Sequence, residues 1–155
     1  MKPVRFVLQP LLDLFQRLQA LTMPEMKAAL GTRVDMTVFR KLAMLGYLTS
    51  YSHRGSYYTL KSIPRYDAQG LWLARGAWFS RQGTLLNTVE AAVREAPAGQ
   101  VASELEARLH VQVKDVLLQL VRARRVERQD FHGLYLYTAR EQTRRQQQRM
   151  ARQAL

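Results

Sequence analysis

The side chains best able to bind a ligand in this 155-residue chain are cations and hydroxyls clustered between Thr22 and Leu60. A guanidinium can donate two parallel hydrogen bonds to a phosphate or to the edge of guanine, and a hydroxyl can contact either. The pattern therefore predicts recognition of an anionic partner. The candidate binding residues are Arg33, Met36, Thr37, Arg40, Lys41, Met44, His53, Arg54 and Ser56.

Groups typical of catalysis or metal binding are sparse. His53, His110 and His132 are scattered, and no spacing places two of them on one face as metal ligands. The chain has no cysteine, which excludes disulfides and thiolate metal sites. It also lacks a glycine-rich phosphate loop and an activated-serine motif. We predict no catalytic residues, no metal, no cofactor and no enzymatic activity.

Two short helices must position the candidate residues. Thr22 and Glu25 form a capping-box pattern at the start of the first helix, and Gly31 supplies its end. Asp35 is the predicted cap of the second helix, 35–45, which Gly46 ends.

Helical geometry assigns the two faces of the second helix. Val38, Leu42 and Leu45 are spaced by four and three residues, so they share one predicted buried face. At about 100° per residue, the opposite face carries Met36, Thr37, Arg40 and Met44, with Lys41 on its flank.

A predicted hairpin follows, with strands 47–51 and 57–60 and the turn His53-Arg54-Gly55-Ser56. An amphipathic helix beginning near Pro10 precedes the pair of helices. This order of helices and hairpin resembles the winged helix-turn-helix domains of DNA-binding regulators. The resemblance implies that helix 35–45 enters the major groove and that the 52–56 wing contacts flanking backbone. The alternative is that Arg40 and Lys41 only solvate an outward face.

Residues 63–83 form a predicted connector. Four breakers (Pro64, Gly70, Gly76 and Gly83) exclude a long helix, and strands around Trp72 and Trp78 would turn at Arg75-Gly76. We assign Trp72 and Trp78 to a packed joint between domains, because aromatic side chains bury large areas. Stacking on exposed bases is the alternative.

The second half of the chain repeats the first. Adding 78 to the residue number places Val38 on Val116, Leu42 on Leu120 and Gly55 on Gly133, and adding 79 places Glu25 on Glu104. The predicted fold is α+β, mainly α, with two tandem winged-helix domains. Domain 1 spans 1–62 and domain 2 spans 84–138. The basic segment 139–155 is predicted as either a helix or a solvated tail.

Charge separates the two copies. Residues 1–62 carry a net charge of +6, and residues 84–138 a net charge of zero, within a chain total of +12. With the offset of 78, Thr37 becomes Asp115 and Arg40 becomes Leu118. We predict that Asp115 and an exposed Leu118 belong to a partner interface, most simply self-association. The alternative is that Leu118 is buried within the monomer.

The predicted function is sequence-specific binding of double-stranded DNA by a transcriptional regulator, acting as a homodimer. The charge surplus supports this, since cations release counterions from nucleic acid. One alternative is an accessory or architectural factor of a mobile element or defence system that recruits a partner protein. A protein-only scaffold is another. We expect a cytoplasmic, nucleoid-associated protein, since the absence of cysteine suits an intracellular location. We expect no membrane partner, because no apolar run is long enough to span a membrane.

Overall fold

The computed structural model describes residues 7–155 and has an α+β fold, with seven α-helices and small antiparallel sheets in that range. The chain forms two compact units, Met1–Thr84 (unit 1) and Leu85–Leu155 (unit 2). The predicted connector, 63–83, is thus part of unit 1. The first six residues of the predicted domain 1 lie outside the described residues.

Unit 1 contains three helices, a three-stranded sheet and a separate hairpin. Its sheet has the strand order β1-β3-β2, and the hairpin pairs β4 with β5. The elements are α1 (Gln9–Leu18), β1 (Leu21–Thr22), α2 (Met23–Leu30), α3 (Asp35–Leu45), β2 (Tyr47–Thr49), β3 (Tyr57–Leu60), β4 (Leu71–Ala74) and β5 (Ala77–Ser80).

The core of unit 1 forms where the three helices meet. Leu11 and Phe15 of α1, Met26 of α2, and Val38 and Leu42 of α3 are almost completely buried in one cluster. This confirms the apolar face predicted for the second helix, although Leu45 is only half-buried. Truncating such a core side chain costs about 2–5 kcal/mol. The core therefore fixes which side of α3 faces outward.

Unit 2 repeats the order of three helices and a hairpin and then adds a last helix. Its leading helix buries Val89, Ala92 and Val93. Its elements are α4 (Leu85–Glu95), α5 (Ala102–Leu109), α6 (Lys114–Arg122), β6 (Val126–Phe131), β7 (Leu134–Ala139) and α7 (Gln142–Gln153).

The repeat is visible in backbone pairing as well as in sequence. In unit 1, Leu21 pairs with Tyr58 in the antiparallel β1–β3 ladder. In unit 2, Gln100 forms an isolated antiparallel bridge with Tyr137. The residue numbers of both partners differ by 79 between the units, so the segment before the second helix meets the same position of the hairpin in each unit.

The basic C-terminal segment is an ordered helix that docks on α4 through polar groups. The fully buried Gln148 donates from its amide nitrogen to the carbonyls of Val93 (2.7 Å) and Ala96 (2.8 Å), and its side-chain oxygen accepts the Ala139 N–H (2.8 Å). Arg144 donates to the carbonyls of Arg94 and Glu95, both at 3.1 Å. These bonds satisfy carbonyls at the end of α4 that have no partner within the helix.

Candidate nucleic-acid interface

The outward face of α3 carries the predicted binding residues. Arg33, Met36, Arg40 and Met44 are exposed, whereas Thr37 and Lys41 are half-buried. Met36 is 57% exposed and Met44 is 71% exposed. The face opposite Val38 and Leu42 therefore combines a guanidinium with two flexible apolar groups. These are groups that can meet base edges and the thymine methyl.

An ion pair links the two helices that precede the hairpin. Asp35 pairs with Lys27 of α2, and Val34 occupies the cap position of α3 without a side-chain hydrogen bond. The prediction that Asp35 caps α3 is therefore wrong, because Asp35 is the first residue inside the helix and its carboxylate turns to Lys27. The pair offsets the negative charge at the start of the candidate binding helix.

The connection between β2 and β3 spans residues 50–56 and is longer than a two-residue hairpin turn. β2 ends at Thr49 rather than at the predicted Tyr51, and His53, Arg54 and Gly55 form a short turn with φ angles of 53°, 54° and 69°. Positive φ is unfavourable for non-glycine residues. His53, Arg54 and Ser56 are all exposed, so the predicted contact residues stand at the surface of a sterically strained turn.

The β4–β5 hairpin holds this turn in place. The Tyr51 N–H donates to the Trp78 carbonyl (2.9 Å), and the Trp78 N–H donates to the Ser52 hydroxyl (2.8 Å). The Ser52 hydroxyl also lies 2.9 Å from His53 Nδ1. Because Tyr51 and Ser52 are buried, the chain is anchored immediately before the exposed residues of the turn.

Arg75, which was not predicted as a functional residue, ties the hairpin to the start of α2. Its Nη1 donates to the Ala20 carbonyl (2.8 Å) and to Glu25 Oε1 (2.7 Å), and its guanidinium lies 5.9 Å from the centre of the Tyr57 ring. The Arg75 hydrogen bond is the main cause that lowers the pKa of Glu25 to about 2. The Thr22 N–H also donates to Glu25 (2.8 Å), as the capping pattern predicts.

The predicted strands around Trp72 and Trp78, with a turn at Arg75-Gly76, are confirmed. The Trp72 ring lies 5.2 Å from the Phe79 ring, beside a small buried cluster that includes Ala20 and Ala77. Trp72 is therefore partly core within unit 1. The role of both tryptophans in a partner interface stays a prediction.

The corresponding helix of unit 2 differs from the prediction by one position. The first residues of α3 and α6, Asp35 and Lys114, differ by 79 in residue number, as do the fully buried Val38 and Leu117. The strand registers agree with this offset, since the pair Tyr47–Leu60 of unit 1 becomes the pair Val126–Ala139 of unit 2. The offset of 78 is therefore wrong for α6, and Val38 corresponds to Leu117, not Val116.

The corrected offset changes the residues predicted for the partner interface. Arg40 falls at Gln119 rather than Leu118, and Thr37 falls at Val116 rather than Asp115. Asp115 is exposed, but Leu118 is half-buried and lines a groove of its own unit, so the prediction of an exposed Leu118 is wrong. No cation of α6 stands at the place that Arg40 occupies in α3.

Comparison of the chain with protein-family models, with curated proteins and with solved structures finds no match. Among residues 7–155, no helix is both long enough and apolar enough to cross a membrane.

Proposed function

We propose that this chain is a sequence-specific double-stranded DNA-binding protein, a transcriptional regulator built from two tandem winged-helix domains. In this proposal α3 reads the major groove and the β2–β3 turn is the wing that contacts the flanking backbone. Unit 2 keeps the winged-helix frame but does not read bases. Homodimer formation and a nucleoid-associated position in the cytoplasm follow from the same proposal.

The observation that carries the proposal is the exposed Arg40 at the centre of the outward face of α3. Its neighbours on this face, Met36 and Met44, are exposed as well. A guanidinium there can pair with O6 and N7 of guanine, which is the commonest specific contact in the major groove. Because Val38 and Leu42 lock the opposite face into the core, this arrangement needs no rearrangement of the helix.

The distribution of charge supports the same surface. Within the described part of unit 1, only Lys27 and Arg75 form ion pairs, which leaves Arg33, Arg40, Lys41 and Arg54 without carboxylate partners. The phosphate backbone can therefore be met by cations that are not already neutralised. Such contacts position the protein, and α3 supplies the specificity.

A second function, an accessory or architectural DNA-binding factor that recruits a partner protein, is favoured by exposed cations far from α3 in sequence. Lys61, Arg65 and Arg81 in unit 1 and Arg140 and Arg149 in unit 2 are exposed. Cations of this kind attract phosphate without regard to sequence.

Selection of bound duplexes from a random pool, followed by titration over a salt series, tests the proposal. A regulator enriches a preferred site, and Arg40→Ala lowers the preference for that site by about 1–3 kcal/mol. Arg40→Lys is the matched control for charge, since it keeps the cation but loses the two-pronged hydrogen bond. It should preserve the salt slope and still relax the preference.

Two outcomes contradict the leading proposal. A steep salt slope with no enriched sequence would favour the architectural factor, because that binding uses the phosphate backbone alone. Absence of duplex binding at low salt would leave only a protein scaffold.

A further inference from the structure

The surface of unit 2 contains a groove of about 510 Å³ between the start of α5, the start of α6 and strand β7. Its apolar walls are formed by Val101, Leu118, Leu134, Tyr135 and Tyr137. This volume lies within the range of about 300–1,000 Å³ that small-molecule sites occupy. All of the lining residues belong to unit 2.

The same place in unit 1 is filled by aromatic side chains. Phe39 corresponds to Leu118 and Tyr58 corresponds to Tyr137, with the offset of 79 that the strand registers give. The Phe39 and Tyr58 rings meet edge-on at 6.0 Å, and the Tyr47 ring lies 6.2 Å from Tyr58. Leucine is shorter than phenylalanine, so Leu118 leaves open in unit 2 the space that Phe39 occupies in unit 1.

The walls of the groove hold apolar surface that no part of unit 2 covers. Leu134 is 60% exposed and Tyr135 is 52% exposed. The Tyr135 and Tyr137 rings are 6.4 Å apart and follow each other on one face of the β6–β7 hairpin. A flat apolar molecule lying against these rings would remove this surface from water, which is favourable.

Cations mark where an acidic group would bind. Lys114 and Arg128 line the groove, and neither forms an ion pair within residues 7–155. Arg128 is the cross-strand partner of Tyr137, and its guanidinium lies 4.3 Å from the centre of the Tyr135 ring. This stacking orients the guanidinium plane while its edge N–H groups remain able to donate to a carboxylate.

Two carboxylates also line the groove and restrict where an anion can lie. Glu106 accepts the Val113 N–H at 3.1 Å and is half-buried, and Asp115 is exposed beside Lys114. Both come from the helices, whereas Arg128 comes from the hairpin. An acidic group is therefore expected on the hairpin side of the groove, beside Arg128.

We propose that this groove binds a planar aromatic compound carrying one acidic group, with the ring against Leu118, Tyr135 and Tyr137 and the acidic group on Arg128. The site is independent of the proposed DNA binding, since all of its residues lie in unit 2 and its occupancy is measured without DNA.

Titration of the full chain with 2-naphthoate, and with its neutral analogue 2-naphthamide, tests the proposal. Nuclear magnetic resonance would follow the methyl groups of Leu118 and Leu134. We expect saturable binding of 2-naphthoate with shifts confined to the groove, and at least tenfold weaker binding of 2-naphthamide. Equal affinity for the two compounds, or no saturation by 2-naphthoate, would overturn the proposal.

Substitutions inside and outside the groove locate the site. Leu118→Phe installs the side chain that unit 1 carries at this place and should weaken 2-naphthoate at least tenfold by filling the groove. Met150→Phe adds a ring at an exposed position of α7 and should leave binding unchanged. Arg128→Gln, at an exposed position, should reduce the affinity for 2-naphthoate to that for 2-naphthamide. If Leu118→Phe fails to fold, Arg128→Gln still tests the proposal. Unchanged affinity of that variant for 2-naphthoate would refute the contact between Arg128 and the acidic group.

Discussion

Glu25 of unit 1 and Glu104 of unit 2 stand at equivalent places near the start of the second helix, and each is held by an arginine from a different kind of element. Arg75, in the turn of the β4–β5 hairpin, binds Glu25 and the Ala20 carbonyl. Arg152, in helix α7, binds Glu104 (2.8 Å) and the Gly99 carbonyl (3.0 Å). Ala20 and Gly99 are themselves equivalent positions, since the same offset relates them as relates the two glutamates.

Each unit therefore carries an arginine that binds both a glutamate and a backbone carbonyl (Arg75 with Glu25 and Ala20, Arg152 with Glu104 and Gly99), and we call this arrangement the bracket. After the repeated hairpin the two units diverge completely, into two strands in one and a helix in the other. Both additions nevertheless deliver a guanidinium to the same carboxylate and the same backbone carbonyl. The bracket therefore ties the start of the second helix to the element that follows the repeated hairpin.

Ion pairing also distinguishes the units. In unit 2, Arg94 and Arg125 pair with Glu90, Arg145 pairs with Glu127, and Arg152 pairs with Glu104. Four arginines of unit 2 are therefore used for internal ion pairs, against two cations in the described part of unit 1. Our proposal assigns DNA reading to unit 1 because Arg40 stands unpaired on the outward face of α3, whereas Gln119 stands at the equivalent place in α6.

The largest predicted effect falls on a contact that only unit 2 possesses. Gln148→Leu keeps an apolar stem but leaves the Ala139 N–H and the Val93 carbonyl without their side-chain partner, whereas the Ala96 carbonyl still accepts the Gly99 N–H at 3.2 Å. We expect a loss of about 3 kcal/mol in the free energy of unfolding, because each orphaned buried group costs about 1–3 kcal/mol. Hydrogen exchange at the amides of α4 and α7 measures it.

The exposed neighbour Gln147 supplies the control for this substitution. Gln147→Leu should change the stability of unit 2 by less than about 0.5 kcal/mol. Both tryptophans lie in unit 1, so tryptophan fluorescence reports that unit separately. Equal effects of the two glutamine substitutions would refute the polar docking of α7.

The next effect concerns the bracket itself. Glu25→Gln should lower the free energy of unfolding of unit 1 by about 1–2 kcal/mol at pH 7. This range is reduced to allow for solvent screening of the ion pair, because the Glu25 side chain is 29% exposed. The folded pKa of about 2 lies below the ordinary 4.5. The stabilisation is therefore present above pH 4.5 and lost as the pH falls toward 2.

Denaturant unfolding followed by tryptophan fluorescence at pH 7 and near pH 2 measures this difference, which should shrink at the lower pH. The matched variant in unit 2, Glu104→Gln, should have a smaller effect, because its side chain is 43% exposed; hydrogen exchange at the amides of unit 2 measures it. A pH-independent loss in Glu25→Gln would contradict the charge-based bracket.

The smallest predicted effect on stability concerns Arg54 in the β2–β3 turn, where one substitution tests both backbone strain and phosphate contact. Arg54→Gly removes a non-glycine residue from positive φ and should stabilise unit 1 by about 0.5–1 kcal/mol, after allowing for the greater freedom of glycine in the unfolded chain. It should also weaken duplex binding and reduce the salt slope by about 1.

His132→Gly is the matched variant in unit 2, at φ 52° beside Gly133. It should relieve strain without changing duplex affinity. If Arg54→Gly stabilised the protein and left the salt dependence of binding unaltered, the turn would have no role in phosphate contact.

Local patterns predicted the helix of the candidate site and its buried face, because Gly31, Gly46 and the Thr22–Glu25 pair act within a few residues. The hairpin around Arg75-Gly76 was likewise readable from its breakers. The contact between Arg75 and Glu25 could not be predicted from local patterns, since the two residues are 50 positions apart and belong to different kinds of element. The docking of α7 was missed because a buried glutamine and two arginines leave no apolar stripe to detect.

The prediction for Leu118 failed for a different reason. The offset of 78 aligns the turn glycines Gly55 and Gly133, but a turn glycine does not fix the register of the strands. The ladder of unit 2 runs up to its turn at Phe131–Leu134, whereas the β2–β3 ladder of unit 1 stops at Thr49–Tyr58. An error of one position moves every assignment by about 100° around a helix. The error does not change the comparison of Arg40 with its counterpart in α6, because neither Leu118 nor Gln119 is a cation.

The most direct test of the division between units is duplex affinity after charge reversal at one exposed arginine in each third helix. Arg40→Glu in α3 is compared with Arg122→Glu in α6, which changes the net charge equally. Fluorescence anisotropy on the selected duplex at fixed salt measures both affinities. We expect Arg40→Glu to abolish preference for the selected site and Arg122→Glu to leave it intact. Equal losses from the two variants would contradict the assignment of DNA reading to unit 1.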